Sequence, residues 1–163
     1  MNNAEVICTP DIADEFPGDV QALELDFRNF GAISHFSGEA VTVKCHEDNS
    51  LVKALVGTPG NGRVIVVDGG GSRRRALLGD MLAEQAAEHG WSGLVINGVV
   101  RDVDRLAEIA LGIQALVSIA LKTEKLGHGQ QDIPLHLGGA NIKPGDWIYA
   151  DNNGVLVAQR KLL

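Results

Sequence analysis

An apolar strand, a helix and a second apolar strand follow one another near the middle of the chain, and this pattern constrains the fold most. Residues 63–68 are rich in β-branched side chains and end at Gly69-Gly70-Gly71, which is typical of a strand buried inside a sheet. Residues 81–89 have helical periodicity and are followed by Gly90, a common residue just after a helix. Residues 93–97 are apolar again. A strand–helix–strand unit implies two parallel strands with a right-handed crossover, so we predict an α/β fold.

The segments before this unit predict short elements. Thr9 and Pro10 indicate a helix start, with the hydroxyl as the cap and proline as the first helical residue. Residues 40–44 alternate as a strand. Ser50 is expected to cap a second short helix that ends at Gly57.

The segments after the unit predict a β-rich end. We expect a helix over 104–111, a strand over 113–121 and an exposed loop over 122–131. Asn153-Gly154 lies between two apolar runs, which indicates a hairpin. The fold class expected is therefore α/β with a parallel βαβ centre and an antiparallel β C-terminal part. Because no repeat or linker interrupts the chain, residues 1–163 are expected to form a single domain.

Charge and composition limit the possible partners. The 21 acidic residues outnumber the 14 basic ones, and the net charge of -7 argues against direct nucleic-acid binding while permitting a basic protein partner. Cys8 and Cys45 have no metal-binding spacing and are expected to be reduced thiols of the core. No signal peptide or membrane-spanning stretch is visible, so we expect a cytoplasmic protein without a membrane partner.

Three side chains form the candidate catalytic set: Asp80, followed after twenty residues by Arg101 and Asp102. Asp80 opens the predicted helix, and the Arg101-Asp102 pair follows the second strand. Both places lie at the carboxyl edge of the parallel strands, where ligands of open α/β sheets usually bind. We therefore expect the three side chains to lie close together.

These residue types suit a metal-assisted reaction on a small 2-keto acid. Mg²⁺ keeps most of its waters and takes one or two protein carboxylates, so Asp102 could coordinate the ion while Asp80 holds its waters. Arg101 offers a planar fork for a substrate carboxylate. The backbone N–H groups of Asp80, Met81 and Leu82 offer an anion site at the helix start. Cleavage of the C3–C4 bond leaves a pyruvate enolate, which retro-aldol cleavage and oxaloacetate decarboxylation share.

Each of these residues also has a purely structural interpretation. Asp80 and Asp102 both precede predicted helices and could be N-caps, and Arg101 could be a solvated surface residue. The Gly69-Gly70-Gly71 loop is either a nucleotide or methyl-donor loop, or a strand end that needs close backbone packing. Arg73-Arg74-Arg75 either steers an anionic substrate or forms a solvated turn. The five histidines form no metal-binding pattern and are expected to be structural.

Several motifs spread over nearly the whole chain resemble those of a known family, that of regulator of ribonuclease activity A. They are Phe30-Gly31, residues 41–45, 47–49, 66–72, 74–77 and 112–115, Gly145-Asp146, and residues 149–152. The wider family includes metal-dependent 4-hydroxy-4-methyl-2-oxoglutarate aldolases, whose signature of Asp, twenty residues and Arg-Asp is matched by Asp80, Arg101 and Asp102.

The resemblance implies a swivelling β/β/α fold, a homotrimer with sites at subunit interfaces, and a divalent metal cofactor, Mg²⁺ or Mn²⁺. It implies that Gly79, Asp80, Met81, Leu82 and Arg101 bind a pyruvate-like substrate and that Asp102 binds the metal. Two functions of different classes follow: a carbon–carbon lyase that also decarboxylates oxaloacetate, and a regulator that binds and inhibits ribonuclease E. Regulating members of the family can carry another residue at the metal aspartate.

Overall fold

The computed structural model describes residues 6–163. Its helices are α1 (Thr9–Glu15), α2 (Ser50–Val56), α3 (Asp80–Glu88) and α4 (Val103–Leu106). Its strands are β1 (Val20–Ala22), β2 (Arg28–Asn29), β3 (Phe36–Lys44), β4 (Val64–Asp68), β5 (Ala76–Leu78), β6 (Gly93–Asn97), β7 (Val99–Val100), β8 (Gly112–Ala115), β9 (Val117–Ser118), β10 (Gln130–Gln131), β11 (Leu135–Leu137), β12 (Ala140–Ile142), β13 (Trp147–Asp151) and β14 (Gly154–Ala158).

The main sheet has a parallel centre and antiparallel flanks, in the order β1-β14-β13-β3-β4-β6-β8-β2. Strands β3, β4, β6 and β8 are parallel to one another. The C-terminal hairpin β13–β14 and strand β1 extend one side antiparallel, and β2 closes the other side. The predicted parallel βαβ centre and antiparallel C-terminal part are therefore confirmed.

Two apolar layers cover the faces of this sheet. On one face Ile65 and Val67 of β4 pack in a cluster with buried residues of α2 and α3. On the other face Val64 and Val66 pack with the small β11–β12 hairpin, through residues such as Leu137. Because both faces of the sheet are covered, all five residues of β4 are buried. This burial explains why the sequence of β4 is an uninterrupted apolar run up to Asp68. The layers are those of a β/β/α fold.

A second, three-stranded parallel sheet lies beyond the carboxyl edge of the main sheet. Strand β7 follows β6 after Gly98, and β9 follows β8 after Leu116. Two strands of the main sheet are therefore continued by strands of the sheet β5-β7-β9. The backbone N–H of Arg101 donates to the carbonyl of Leu78, at 3.0 Å. This bond holds the segment after β7 against the end of β5, where α3 begins.

Two predicted helix caps are wrong in detail. Thr9 is the first residue of α1, and its hydroxyl donates to Asp151 Oδ1 at 2.7 Å instead of capping the helix. Ser50 is the first residue of α2, and its backbone N–H donates to Asp48 Oδ1 at 2.9 Å. In both cases a carboxylate takes the place expected of the hydroxyl: the distant Asp151 for α1, and Asp48, two residues before Ser50, for α2.

Three other predicted elements differ in extent. The helix expected over 104–111 is limited to the single turn of α4, and the strand expected over 113–121 is divided at Leu116 into β8 and β9. The expected loop 122–131 is largely irregular and exposed, although Thr123 is buried and the segment ends in β10. The hairpin at Asn153-Gly154 is confirmed.

Two further expectations concern the cysteines as thiols of the core and the helices as possible membrane spans. Cys45 is buried, and burial raises the pKa of its thiol to about 12, whereas Cys8 is only partly buried. Among residues 6–163, no helix is long and apolar enough to cross a membrane.

Candidate active site

The Asp102 carboxylate lies against the start of α3. Its Oδ2 atom accepts a hydrogen bond from the backbone N–H of Asp80, at 3.1 Å, and lies 3.9 Å from Nε of Arg101. Gly79 separates β5 from α3, and a Cβ atom at this position would lie only 2.6 Å from Asp102 Oδ2. Glycine therefore lets the carboxylate approach the helix. The structure brings together the three residues of the predicted catalytic set.

Asp102 has a left-handed backbone conformation, with φ of 58° and ψ of 39°. Non-glycine residues adopt this conformation uncommonly, and it costs backbone energy that the surrounding structure must offset. Asp102 precedes α4 but makes no side-chain capping bond to it. Its carboxylate instead bonds to the start of α3, so Asp102 holds the N-cap position of α4 without a side-chain capping bond.

Asp80 is not a side-chain cap of α3 either. It is the first residue of the helix, Gly79 holds the capping position, and no side-chain capping bond is made there. The carboxylates of Asp80 and Asp102 thus stand at one helix start beside a guanidinium. The side chains of Arg101 and Asp102 are each 38% exposed, so both are accessible to a ligand.

A cleft of about 170 Å³ opens at this point. All six residues predicted to form the site line it: Gly79, Asp80, Met81, Leu82, Arg101 and Asp102. The cleft is also lined by residues that the sequence did not indicate, namely Asn49, Lys53, Ala76, Gln85, Lys122 and Lys125. Asn49 precedes α2 and Lys53 lies within it, while Ala76 belongs to β5 and Gln85 to α3 itself. Lys122 and Lys125 belong to the segment after β9.

The lining is cationic although the chain is acidic overall. The four basic residues that line the cleft, Lys53, Lys122, Lys125 and Arg101, outnumber its two acidic residues, Asp80 and Asp102. In the part of the chain that the structure describes, none of the three lysines forms an ion pair. A cationic cleft on a protein of net charge -7 favours a small anionic ligand.

Asn49 is the most deeply buried polar residue of the cleft lining, with 6% of its surface exposed. Its Nδ2 donates to the carbonyl of Leu77 at 3.1 Å, which ties the start of α2 to β5. Its Oδ1 is buried and has no hydrogen-bond partner among residues 6–163. An unpaired buried acceptor is costly, and such atoms are found where a ligand or a water completes the site.

The backbone N–H groups of the glycine-rich loop after β4 are used in hydrogen bonds within the protein. Gly69 and Gly71 donate their backbone N–H groups to the carbonyl of Asn97, and Gly70 donates to Asp68 Oδ1 at 2.9 Å. Gly70 and Gly71 have φ of 67° and 69°, which explains glycine at both positions. These contacts favour the close-packed strand end over a loop that presents its amides to a phosphate.

The arginine run is also largely engaged in local contacts. Arg74 pairs with Glu47, and the hydrogen bond from this guanidinium is the main reason that the pKa of Glu47 is lowered. Arg75 lies within 3.4 Å of the Lys122 carbonyl. Neither arginine lines the cleft. The local contact with Glu47 favours a turn, and not substrate steering, as the role of Arg74.

The donor set fits magnesium held mainly through water. Among the described residues, no group of three or more His, Cys, Asp or Glu side chains could hold an ion. Asp102 and Asp80 supply the one or two carboxylates that Mg²⁺ takes when it keeps its waters. A zinc or iron site of the closed kind would need more nitrogen or sulfur ligands than this edge offers.

The fold and this site define the class of protein. Residues 9–157 match the RraA-like family, described as Aldolase/RraA, and the chain belongs to that family. A protein of Ectopseudomonas mendocina is 56% identical over 94% of this chain and 95% of its own length, and one of Azotobacter vinelandii is 55% identical over the same shares. Both are provisionally named 4-hydroxy-4-methyl-2-oxoglutarate aldolases.

Solved structures agree with the fold. A Geobacillus kaustophilus protein described as an S-adenosylmethionine:2-dimethylmenaquinone methyltransferase superposes with a TM-score of 0.94 at 42% identity, covering 96% of this chain and 97% of that one. The RNA-processing inhibitor RraA of Thermus thermophilus superposes with a TM-score of 0.91 at 40% identity, covering 96% and 94%. Both agree with the predicted swivelling β/β/α fold.

Proposed function

We propose that this chain is a divalent-metal-dependent carbon–carbon lyase that cleaves 4-hydroxy-4-methyl-2-oxoglutarate to pyruvate and also decarboxylates oxaloacetate. The observation that carries the proposal is the placement of Arg101 and the Asp102 carboxylate at the start of α3, inside a cationic cleft. The names of its relatives from Ectopseudomonas mendocina and Azotobacter vinelandii support the same chemistry.

In the proposed reaction Arg101 binds and orients the substrate. Its planar guanidinium holds the carboxylate or the keto oxygen of the 2-keto acid, and the backbone N–H groups of Met81 and Leu82 complete the anion site. The C3–C4 bond then breaks, and the C4 hydroxyl loses its proton and becomes the keto group of one pyruvate. The electron pair stays on the other half as an enolate, which Arg101 stabilises until C3 is protonated.

Asp102 would hold the divalent cation, Mg²⁺ or Mn²⁺, with Asp80 bonded to the waters of the ion. When bound, the cation supplies a Lewis acid for the keto oxygen. The left-handed backbone of Asp102 and its bond from the Asp80 N–H keep this carboxylate aimed at the cleft before any ligand arrives.

Pyruvate release from oxaloacetate with Mg²⁺ tests this function. Free metal decarboxylates oxaloacetate unaided, so the rate of an Arg101→Ala protein at the same metal concentration must be subtracted. We expect wild-type protein to exceed both the metal alone and the variant, and the excess to vanish with a chelator. Full turnover by metal-stripped protein in excess chelator would overturn the metal mechanism.

A ribonuclease regulator is the second candidate, because the chain is 40% identical to a Thermus protein described as an RNA-processing inhibitor. An acidic protein of net charge -7 would bind a basic surface of ribonuclease E, and binding would weaken as salt screens the charges. Titration of the ribonuclease at two salt concentrations tests this. No affinity at low salt would remove the regulator function from this chain.

A further inference from the structure

Asp48 lies just outside the cleft and makes more contacts than a surface carboxylate would. It is 2% exposed and follows β3 at the carboxyl edge of the main sheet. Its Oδ1 accepts from the backbone N–H and the hydroxyl of Ser50, at 2.9 and 2.6 Å. Its Oδ2 accepts from the backbone N–H groups of Leu126 and His128, at 2.8 and 3.1 Å.

These four bonds join two parts of the chain that both line the cleft. Ser50 begins α2, which carries Lys53 in its last turn, and Leu126 directly follows Lys125. Both lysines line the cleft. Ser50 adds a second tie, since its hydroxyl accepts a hydrogen bond from the Gly127 N–H at 3.0 Å.

Near Lys125 the segment after β9 is held by a single backbone bridge between Glu124 and Asp48 and by the side-chain hydrogen bonds just described. Residues 125–129 form no helix or strand, and the side chains of Leu126 and His128 are exposed. An irregular, exposed segment is positioned by the few hydrogen bonds that its backbone makes. The Asp48 carboxylate takes two of these, from amides on either side of Gly127.

We propose that Asp48 is a positioning residue of the cleft: its carboxylate ties the start of α2 to the segment after β9 and so fixes Lys53 and Lys125 relative to each other. The two ammonium groups then form one cationic wall for the carboxylate of the substrate that Arg101 does not hold. This inference rests on the proposed lyase function, because it assigns the lysines to a substrate with two carboxylates. Asp48 itself touches no substrate.

The chain offers a closely matched control in Asp151. This carboxylate is 7% exposed and also accepts four hydrogen bonds, from the backbone and side chains of Thr9 and Asn153. Asp151 follows Ala150, which pairs with Phe36, the first residue of β3. Asp48 lies beyond the other end of β3, after Lys44. At about 3.3 Å per residue, the length of β3 alone places Asp151 more than about 20 Å from Asp48. Asp151→Asn therefore reproduces the loss of a buried carboxylate without altering the cleft.

The experiment compares Asp48→Asn with Asp151→Asn for turnover of 4-hydroxy-4-methyl-2-oxoglutarate, thermal stability and cleavage by trypsin after Lys125. The carboxylate on C4 of this substrate keeps its charge while the C3–C4 bond breaks, so lysines that hold it bind the ground state and the transition state alike. Loss of this binding raises KM and leaves kcat in place. We expect KM to rise about tenfold or more in Asp48→Asn, with kcat within about threefold, and no change in Asp151→Asn. Trypsin should cleave after Lys125 faster in Asp48→Asn alone.

Ser50→Ala and Thr9→Ala form a milder pair if Asp48→Asn folds poorly, since each removes one hydroxyl bonded to the respective carboxylate. Equal KM values and equal cleavage in the two members of a pair would overturn the positioning role. If wild-type protein turns over no 2-keto acid, the lyase function fails separately. The positioning role is then judged by the affinity for unreacted 4-hydroxy-4-methyl-2-oxoglutarate, which should fall in Asp48→Asn and not in Asp151→Asn.

Discussion

The backbone N–H of Asp80 donates a 3.1 Å hydrogen bond to Asp102, so the carboxylate assigned to the metal also binds the first N–H of the helix that is assigned to the substrate. Negative charge at a helix N-terminus is stabilised by the orphan N–H groups and the helix dipole. Asp102 therefore helps to order the N–H groups of the anion site in the absence of any ligand. Arg101, adjacent in sequence, is held in the same place by its own bond to Leu78.

We predict that Arg101→Lys lowers kcat/KM for oxaloacetate about a hundredfold, because an ammonium cannot reproduce the planar fork and one preorganised charge stabiliser is typically worth about 3 kcal/mol. Steady-state kinetics measure this. Arg105→Lys is the control, since Arg105 is an exposed residue that pairs with Glu84 and Glu108. Equal rates in Arg101→Lys and the control would remove Arg101 from the site.

Gly79→Ala should damage the site by displacing Asp102. Its methyl group would lie 2.6 Å from Asp102 Oδ2, closer than packing allows, so the carboxylate or the start of α3 must move. A displacement of about 1 Å at a catalytic group can reduce kcat/KM about a hundredfold. Gly18→Ala, where a Cβ meets nothing within 4 Å, should be neutral in the same assay. Normal activity in Gly79→Ala would show that the close approach is unnecessary.

Asp48 should contribute to stability in a pH-dependent way. Burial raises the pKa of this carboxyl, but the hydrogen bonds from Ser50, His128 and Leu126 lower it to about 2, against 3.8 for an ordinary aspartate. The unfolded chain therefore binds the proton first as the pH falls. The contribution is complete above about pH 4 and is lost as the pH falls towards 2.

Thermal melts of wild-type protein and Asp48→Asn between pH 2 and 6 measure this contribution. The variant should be less stable by about 2 kcal/mol at pH 6, since bonds to a charged acceptor are lost. The difference should shrink steadily as the pH falls towards 2. Two curves that stay parallel over the whole range would contradict the role assigned to the ionised carboxylate.

The homotrimer implied by the family resemblance stays a prediction with a simple test. Met81 lines the cleft and is 72% exposed, and Leu121, next to Lys122, is 55% exposed. Covering such apolar surface beside the site is what a subunit interface would do. Light scattering should give a mass about three times that of the 17.3 kDa chain. A monomer at micromolar concentration would contradict sites at subunit interfaces.

The central unit of the fold was predictable from the sequence because its signals are local. All residues of β4 are buried, and the helix predicted over residues 81–89 agrees with α3 to within one residue at each end. The strand predicted over 113–121 failed because Leu116 belongs to the same apolar run, while the chain turns there from the main sheet into the second one. Apolarity reports burial, and it does not report a change of sheet.

The candidate site was predictable only in part, for a similar reason. The spacing of Asp80, Arg101 and Asp102 becomes proximity through one βαβ crossover, which can be inferred from the sequence. Lys53 and Lys125 line the same cleft, and the segments that carry them are joined through Asp48, whose bond to Leu126 links residues 78 positions apart. No periodicity or motif marks a contact of that separation, and segment 122–131 has the composition of an ordinary loop.

Asp102 provides the most direct test of the proposed lyase function, through pyruvate release from 4-hydroxy-4-methyl-2-oxoglutarate with Mg²⁺. The variant is Asp102→Asn, because asparagine tolerates the left-handed backbone and keeps an oxygen for the Asp80 N–H while losing the charge. We predict that wild-type protein converts both halves of the substrate to pyruvate and that folded Asp102→Asn protein does not. Comparable turnover by the variant, or no turnover by wild-type protein with any divalent metal, would contradict the proposed lyase.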